Sequence, residues 1–300
     1  MTIYSRFGLL GWPLGHSLSV PIHHAALEAL GLNGEYTLFP YEPSRQGLSQ
    51  LRLKLDEVKK GILRGLNVTI PYKQTVIDWL DELTPTAKAI GAVNTIFLSD
   101  MKLFGENTDA PGFMADIQAS PIFELLLSET DSTILILGAG GSARAVIYSL
   151  IKLKKPILIA ARRLEQAVEL VASMKNIKRI DMPKMMPLKL NKEEISRGFT
   201  AYPPVHLIIN TTPVGMKPFI QDTPWPSQLP FPSTTAVYDL VYNPQETTFL
   251  RCARNENLIV RNGLGMLVEQ AALAFERWTN ISPPREPMYE AAISALQFTN

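Results

Sequence analysis

The sequence is poor in cysteine, in net charge and in long apolar runs, and each shortage excludes a class of protein. Cys252 is the single cysteine in 300 residues, so no disulfide forms within the chain, and we expect its thiol to be a buried apolar group. Lys and Arg number 29 against 28 Asp and Glu, and a groove for duplex nucleic acid usually needs a large basic excess. No uninterrupted apolar run is long enough to span a bilayer, and the N-terminus lacks the pattern of a targeting segment. We therefore expect a cytoplasmic protein that binds neither nucleic acid nor membrane.

The chain has enough apolar residues to form hydrophobic cores. Hydrophobic residues make up 46% of the chain and charged residues 19%, which is the composition of a globular protein, and the length favours two domains. The histidines lack the spacing of a metal site with supporting Cys or carboxylate ligands, so we predict no metal. These histidines are His16, His23, His24 and His206.

The first part of the chain mixes predicted strands and helices. Its strands are expected at 3–10, 35–39 and 66–73, and its helices at 21–30, 46–60 and 74–82. The segments 92–98 and 102–109 predict a hairpin that turns at Ser99 and Asp100. A single helix is expected near 111–126.

The sequence pattern changes near residue 130, where continuous apolar runs begin to alternate with helical segments. The segment 132–153 predicts an apolar strand, a glycine-rich turn and a helix, and 156–163, 205–210, 236–241 and 258–261 predict further apolar strands. Apolar strands separated by helices are typical of a parallel sheet buried on both faces, whereas 175–204 shows no readable pattern. The fold class is therefore α/β, with an N-terminal α/β domain followed by a Rossmann-type doubly wound dinucleotide-binding domain.

The glycine-rich turn points to a dinucleotide. Gly138, Gly140 and Ala143 fit the pattern G-x-G-x-x-G/A between a strand and a helix, where backbone N–H groups can approach a pyrophosphate. A glycine turn without a ligand is the alternative, but the strand–turn–helix context favours binding. The predicted cofactor residues of this turn are Gly138, Ala139, Gly140, Gly141, Ser142 and Ala143.

The end of the next strand indicates which dinucleotide binds. An NAD site places Asp or Glu there for the ribose 2′-hydroxyl, whereas this chain has Ala161, Arg162 and Arg163. Guanidinium groups suit a phosphate because they offer a rigid set of donors and a permanent charge. We predict NADP as the cofactor, with a solvated helix start as the alternative reading of the two arginines.

Three polar clusters in the first part of the chain supply hydroxyl groups, one amine and one carboxylate. Each cluster alone is weak, since a lone lysine is usually solvated and a lone aspartate usually caps a turn. Together they suit a small polyhydroxylated acid. They are 16–19 (HSLS), 67–73 (NVTIPYK) and 105–109 (GENTD).

Eight motifs in one order resemble those of the shikimate dehydrogenase family, and they extend from about residue 8 to about residue 280. NVTIPYK and the NTD segment are specific to this family and its near relatives. The motifs are HSLS, NVTIPYK, GAVNT, GENTDAPGF, GAGGSARA, NTTPVGM, YNPQETTFL and GLGMLVEQAALAF. The resemblance implies NADPH-dependent, reversible reduction of 3-dehydroshikimate to shikimate, an oxidoreductase reaction at a CH–OH group in aromatic amino-acid (chorismate) biosynthesis.

The resemblance also implies a role for each matching residue. Lys73 and Asp109 match the family's catalytic pair, and a lysine ammonium can donate the proton that the oxyanion needs after hydride transfer. The substrate-binding matches are Ser17 and Ser19 for the carboxylate, Thr69, Asn94 and Gln270 for the ring hydroxyls, and Tyr242 near the carboxylate. The matches around the nicotinamide are Asn210, Thr211, Gly263 and Met266.

With these roles, residues 1–109 and 266–300 are expected to form a discontinuous substrate-binding domain, and residues 110–265 the NADP-binding domain. The C-terminal helices should pack back on the first domain, and a cleft should separate the two domains.

Four departures from the family pattern concern binding rather than reaction type. Pro21 stands one place late, His24 replaces a usual Asn, and Asn262 replaces a common Asp. Ala161 replaces the usual Asn before Arg162, which removes one polar contact near the adenosine ribose or its phosphate. A paralogue acting on quinate or an amino analogue therefore stays as one alternative, and a non-catalytic NADP-binding sensor as another. The sequence does not fix the oligomeric state, and a homodimer is retained as one option.

Overall fold

The computed structural model describes residues 4–177 and 181–297. The strands, in chain order, are β1 Ser5–Gly11, β2 Gly34–Pro40, β3 Gly65–Val68, β4 Glu82–Leu83, β5 Thr95–Ser99, β6 Lys102–Glu106, β7 Thr133–Leu137, β8 Ile157–Ala161, β9 Met185–Lys189, β10 Val205–Asn210, β11 Ala236–Asp239 and β12 Ile259–Asn262. The α-helices are α1 Ser19–Ala29, α2 Arg45–Lys59, α3 Pro85–Ile90, α4 Asp109–Gln118, α5 Pro121–Ser128, α6 Gly141–Leu150, α7 Leu164–Lys175, α8 Lys192–Ala201, α9 Thr248–Asn255, α10 Leu264–Thr279 and α11 Arg285–Gln297. Short 3-10 helices cover Thr75–Trp79 and Ile151–Leu153.

The chain divides into two compact units. The first comprises the described residues as far as Gly112 together with those from Leu267 onward, and the second runs from Phe113 to Met266. Residues 1–3 and 298–300, which the predicted substrate-binding domain includes, lie outside the described residues. The assignment of one unit to substrate and the other to NADP stays a prediction.

The first unit contains a mixed six-stranded sheet in the order β2-β1-β3-β5-β6-β4. β1 pairs in parallel with β2 and β3, whereas β5 is antiparallel to β3 and β6. Trp278 of α10 stacks on Phe7 of β1, with ring centroids 5.1 Å apart, and its indole N–H donates to the carbonyl of Ile96. The carboxyl ends of β3 and β6, which lead into two of the polar clusters of the sequence, lie at the same edge of the sheet with β5 between them.

The second unit contains a fully parallel six-stranded sheet in the order β12-β11-β10-β7-β8-β9. Counted from β7, this is the 3-2-1-4-5-6 order of a Rossmann fold, and ligands of such sheets bind where the strand order reverses. That point lies at the carboxyl ends of β7 and β10. The predicted α/β fold class with a Rossmann-type domain is confirmed.

Four local predictions need correction, and one stretch without a prediction can now be described. Cys252 is exposed, because amphipathic α9 turns Phe249, Leu250 and Ala253 toward the core instead. The hairpin turn lies one residue later than predicted, at Asp100 and Met101, which both adopt positive φ. The single helix predicted near 111–126 is two helices, α4 and α5, and the helix predicted at 74–82 is a 3-10 helix followed by β4. The unread stretch 175–204 contains β9 and α8, while its residues 178–180 lie outside the described residues.

Within the described ranges, no helix combines the length and the apolar character that crossing a bilayer requires.

Candidate active site

Lys73 and Asp109 form a largely buried ion pair in the first unit. Lys73 follows β3, and Asp109 is the first residue of α4, where the helix dipole favours a negative charge. The Lys73 Nζ lies 2.6 Å from the Asp109 Oδ2, and the two side chains are 14% and 7% exposed. The sequence therefore brings together two residues 36 positions apart, one able to give a proton and one able to hold the donor in place.

Asn94 fixes the other oxygen of the same carboxylate. Its side-chain amide donates to the Asp109 Oδ1 at 2.8 Å, to the Thr108 hydroxyl at 2.9 Å and to the Gln270 Oε1 at 3.2 Å. Its carbonyl oxygen accepts from the Thr108 N–H at 2.7 Å. Because an amide NH₂ has two hydrogens and faces three acceptors, the longest of these contacts can yield to a substrate hydroxyl.

A close contact between α4 and α10 positions Gln270. A Cβ on Gly112 would lie 2.7 Å from the Gln270 backbone nitrogen, so only glycine lets the two helices approach this far. The Gln270 side chain donates to the Leu267 carbonyl at 2.8 Å and presents its oxygen to Asn94. Gln270 thus lies beside the ion pair despite its distance in sequence.

The two serines of the HSLS motif lie at the start of α1. Ser19 donates its backbone N–H to the Ser17 hydroxyl at 3.2 Å, and the two hydroxyls are 3.2 Å apart. The N-cap residue Leu18 makes no side-chain cap bond. The Ser19 N–H is taken by Ser17 and Pro21 has no N–H, so this helix start favours an anion mainly through its dipole.

The shifted proline does not disturb this helix start. Pro21 is the third residue of α1, within the first turn, where a backbone N–H has no helical partner to lose. His24, the second departure, accepts the Tyr36 backbone N–H through Nε2 at 3.3 Å and so satisfies a donor of the edge strand β2. The third departure, Asn262, accepts the N–H of Leu264, the first residue of α10, at 3.2 Å, as an Asp would.

Thr69 and Tyr242, the other predicted substrate residues, are partly exposed. Thr69 follows β3 and is held through its backbone N–H, which donates to Leu10. Tyr242 follows β11 in the second unit, and desolvation raises the pKa of its phenol to about 12. At neutral pH the Tyr242 hydroxyl is therefore a donor.

The glycine-rich turn of the second unit fits a dinucleotide pyrophosphate. Gly138 adopts φ +110°, and a Cβ there would lie 2.5 Å from the Thr211 hydroxyl, so glycine is required. Gly140 precedes α6, its Cβ position has open space around it, and no side chain caps the helix. The Gly138 N–H already donates to the Ala160 carbonyl at 2.8 Å, so it is the backbone of residues 139–143 that offers N–H donors to an anion at this helix N-terminus.

The two arginines after β8 fit a phosphate on the adenosine ribose. Ala161 is buried, whereas Arg162 and Arg163 are exposed. Neither guanidinium is in an ion pair within the described part of the chain. This donor set suits NADP better than NAD.

Asn210 and Thr211, predicted to line the nicotinamide, lie at the strand-order reversal. The Asn210 side chain is fully buried and bonds to protein groups throughout. The Thr211 hydroxyl donates to the Leu137 carbonyl at 2.8 Å, which ties the loop after β10 to the end of β7. Gly263 and Met266 are both buried, at the start of α10. The contact of these residues with a nicotinamide stays a prediction.

Asp239 is a buried carboxylate that the sequence analysis did not single out. Desolvation raises its pKa to about 6, although three hydrogen-bond donors to the carboxylate oppose this rise. Asn67, Thr95 and Thr108, which bond to Asn94 or its carbonyl, were likewise missed. These four residues could have been found from their place in the sequence, because each one lies inside one of the motifs above or ends an apolar strand.

We expect the Asp239→Asn variant to gain stability relative to the wild type as pH rises. The raised pKa means that the folded protein holds this proton more tightly than the unfolded chain, so the wild type loses stability between the unfolded value of 3.8 and about 6. The difference in unfolding free energy should grow by about 2 kcal/mol from pH 4.5 to pH 7.5. Urea unfolding at both pH values measures it, with the exposed Asp56→Asn as the control. An equal difference at the two pH values would contradict the assignment.

Within the described residues, no group of three or more His, Cys, Asp or Glu side chains could hold a metal ion.

Two family models match this chain. Residues 9–96 match the shikimate dehydrogenase substrate binding domain, and residues 263–293 match the shikimate 5′-dehydrogenase C-terminal domain. The curated shikimate dehydrogenase (NADP(+)) of Carboxydothermus hydrogenoformans is 39% identical over 284 residues, which are 95% of each chain.

Solved structures resemble the chain over nearly its whole length. The shikimate 5-dehydrogenase of Thermus thermophilus, in complex with NADP(H) and shikimate, is 37% identical with a TM-score of 0.79, over 97% of this chain and 99% of that one. The quinate dehydrogenase of Corynebacterium glutamicum, in complex with NAD, is 28% identical with a TM-score of 0.81, over 97% of this chain and 100% of that one.

Proposed function

The chain belongs to the shikimate dehydrogenase family, and we infer from this that it is an NADP-dependent oxidoreductase that interconverts 3-dehydroshikimate and shikimate. The observation that carries the inference is the Lys73–Asp109 pair, 2.6 Å apart and fixed from behind by Asn94. A protein that only sensed NADP would not need this pair.

In the proposed reaction Lys73 moves the proton. Bound NADPH supplies the hydride that the substrate carbonyl carbon accepts. The Lys73 ammonium donates a proton to the oxygen of that carbonyl, and in the oxidative direction the neutral amine takes the proton from the hydroxyl. Asp109 holds the amine in position through the ion pair.

Three groups of residues hold the substrate in this proposal. Ser17 and Ser19 donate to the substrate carboxylate, which the dipole at the start of α1 also favours. Thr69, Asn94 and Gln270 bind the ring hydroxyls. Tyr242 donates near the carboxylate.

The second unit holds the cofactor in this proposal. Gly138 makes the turn, the N–H groups of residues 139–143 bind the pyrophosphate, and Arg162 and Arg163 bind the phosphate on the adenosine ribose. A homodimer and a cytoplasmic location stay predictions, and light scattering of the purified protein tests the first.

The function is tested by following NADP reduction with shikimate, with quinate and NAD assayed in parallel. We expect turnover with shikimate and NADP. Turnover with quinate alone would assign the chain to the quinate-specific alternative and direct attention to residues 17–24. NADP binding without turnover on either substrate would favour the sensor alternative.

Cofactor preference should depend on the two arginines. In a variant with Arg162→Ala and Arg163→Ala, we expect KM for NADP to rise about tenfold or more, because charge-assisted bonds to a phosphate are lost. KM for NAD should change less than about twofold, since NAD lacks that phosphate. Steady-state kinetics with both cofactors measures the ratio. Arg197→Ala, which removes an exposed guanidinium of α8, is the matched control, and an unchanged NADP/NAD ratio in the double variant would refute the assignment.

A further inference from the structure

Asp239 is a buried carboxylate in the interior of the second unit. It ends β11 and is fully buried. No Lys, Arg or His forms an ion pair with it in the part of the chain that the structure describes. A buried carboxylate without a countercharge costs stability, so its presence needs a reason.

Its hydrogen bonds reach three separate segments. The Asp239 Oδ1 accepts from the Asn210 side-chain amide at 2.8 Å and from the Val241 backbone N–H at 3.0 Å. The Oδ2 accepts from the Thr247 hydroxyl at 2.7 Å. One carboxylate thus joins the end of β10, the loop after β11 and the start of α9.

Each hydrogen-bond partner of Asp239 makes further contacts that fix its own segment. The side-chain oxygen of Asn210, Oδ1, accepts from both the N–H and the hydroxyl of Thr212, at 2.9 and 2.7 Å, and these bonds fix the turn after β10. The Thr247 hydroxyl also accepts from the Leu250 N–H at 3.2 Å and so caps α9. Val241 immediately precedes Tyr242, so the bond to its N–H fixes the backbone from which Tyr242 projects.

The segments held in this way carry the residues assigned to ligands. Thr211 lies in the first loop and Tyr242 in the second, at the carboxyl edge of the parallel sheet where such folds bind their cofactors. Asp239 itself is buried and hydrogen-bonded on both oxygens, so it reaches no ligand directly.

We propose that Asp239 is a positioning residue that, through Asn210 and Thr247, holds the loops 211–214 and 240–247 in the arrangement that binds NADP. The proposal rests on the proposed function for the identity of the cofactor. It also gives Asn210 a role behind the site, as the link between Asp239 and the loop.

The experiment compares variants that keep or remove the bonds to Asp239. Asp239→Ala removes the acceptor for all three partners. Asp239→Asn keeps one oxygen, which can still accept from Asn210 and Val241. Its NH₂ then faces Thr247, whose hydroxyl oxygen can accept. Thr247→Val removes the hydroxyl and Thr247→Ser keeps it. Ile195→Ala, which opens a cavity under α8 in the same unit, is a destabilised control away from these loops.

The main readout is the dissociation constant of NADPH, from its fluorescence without substrate. We expect about a tenfold increase for Thr247→Val and Asp239→Ala, since misplaced binding loops lose this much or more. Thr247→Ser, Asp239→Asn and Ile195→Ala should stay within about threefold of the wild type. In the shikimate assay, KM for NADP should rise in the two deleterious variants more than kcat falls.

Folded Thr247→Val and Asp239→Ala proteins that bind NADPH like the wild type would overturn the proposal. An equal loss in Ile195→Ala would also overturn it, because the effect would then follow stability alone. If both deleterious variants fail to fold, Asp239 supports the fold and not the loops, and the proposal is wrong. A wild type that binds NADPH but does not turn over shikimate refutes the proposed function and leaves the binding comparison decisive. A wild type that does not bind NADPH refutes both.

Discussion

Lys73→Met is expected to lower kcat for shikimate oxidation by about 10²–10⁴-fold, the usual contribution of a positioned general acid or base. Methionine keeps much of the length of the side chain but has no proton to give or take. The loss should fall on kcat more than on binding, because the proton moves in the transition state. Steady-state kinetics in both directions measures it, with NADPH affinity expected to be unchanged.

The control for this variant is Lys59→Met. Lys59 is in an exposed ion pair with Asp81 in the same unit, and such pairs contribute little to stability. Its kcat should remain within about twofold of the wild type. A Lys73→Met protein with kcat close to that of the wild type would remove Lys73 from the mechanism.

The parallel sheet could be predicted from the sequence because burial on both faces leaves a simple pattern. The strands β7, β8 and β10 are continuous apolar runs, and every one of their residues except Thr133, His206 and Asn210 is apolar. β9 and α8 escaped prediction since β9 is half-exposed and contains a proline, and α8 buries only Ile195 and Gly198. Edge elements of this kind carry too little apolar periodicity to be recognised.

Part of the candidate site could likewise be predicted from the sequence and part could not. Lys73 and Asp109 were predicted as a pair from motifs, and the structure places them 2.6 Å apart. Asp239 was missed because nothing in AVYDLV states that its carboxylate points inward, where Asn210 and Thr247 meet it. The prediction that Cys252 is buried was wrong for a related reason. Which side of α9 faces the core depends on the phase of the helix, and composition alone does not give that phase.

Asp109→Asn is expected to lower kcat by about 10²–10³-fold, although it changes a single atom. In the wild type one carboxylate oxygen faces the Lys73 ammonium and the other faces the Asn94 amide, and both neighbours are donors. An amide has one acceptor atom and one donor group. In either orientation its NH₂ therefore meets another donor, and Lys73 loses both its negative partner and its fixed position.

The affinity for NADPH distinguishes this loss from a general defect. The Asp109 carboxylate holds the Lys73 amine where the proton is transferred, so its removal should lower kcat and leave the dissociation constant of NADPH within about twofold of the wild type. Asp56→Asn, an exposed change on α2, is the control and should leave both constants in place. A loss of NADPH affinity as large as the loss of kcat would contradict the assigned role.

The double variant with Lys73→Met and Asp109→Asn tests whether the two residues act as a unit. If Asp109 works only by holding Lys73 in place, its removal costs little once Lys73 is gone, because the effects of residues in direct contact are not additive. We expect the double variant to be no more than about threefold slower than Lys73→Met alone, instead of slower by the product of the two single losses. Multiplication of the two effects would show that Asp109 contacts the reaction independently. In that case the bond from Asn94 would serve to aim the carboxylate at the substrate and not at the lysine.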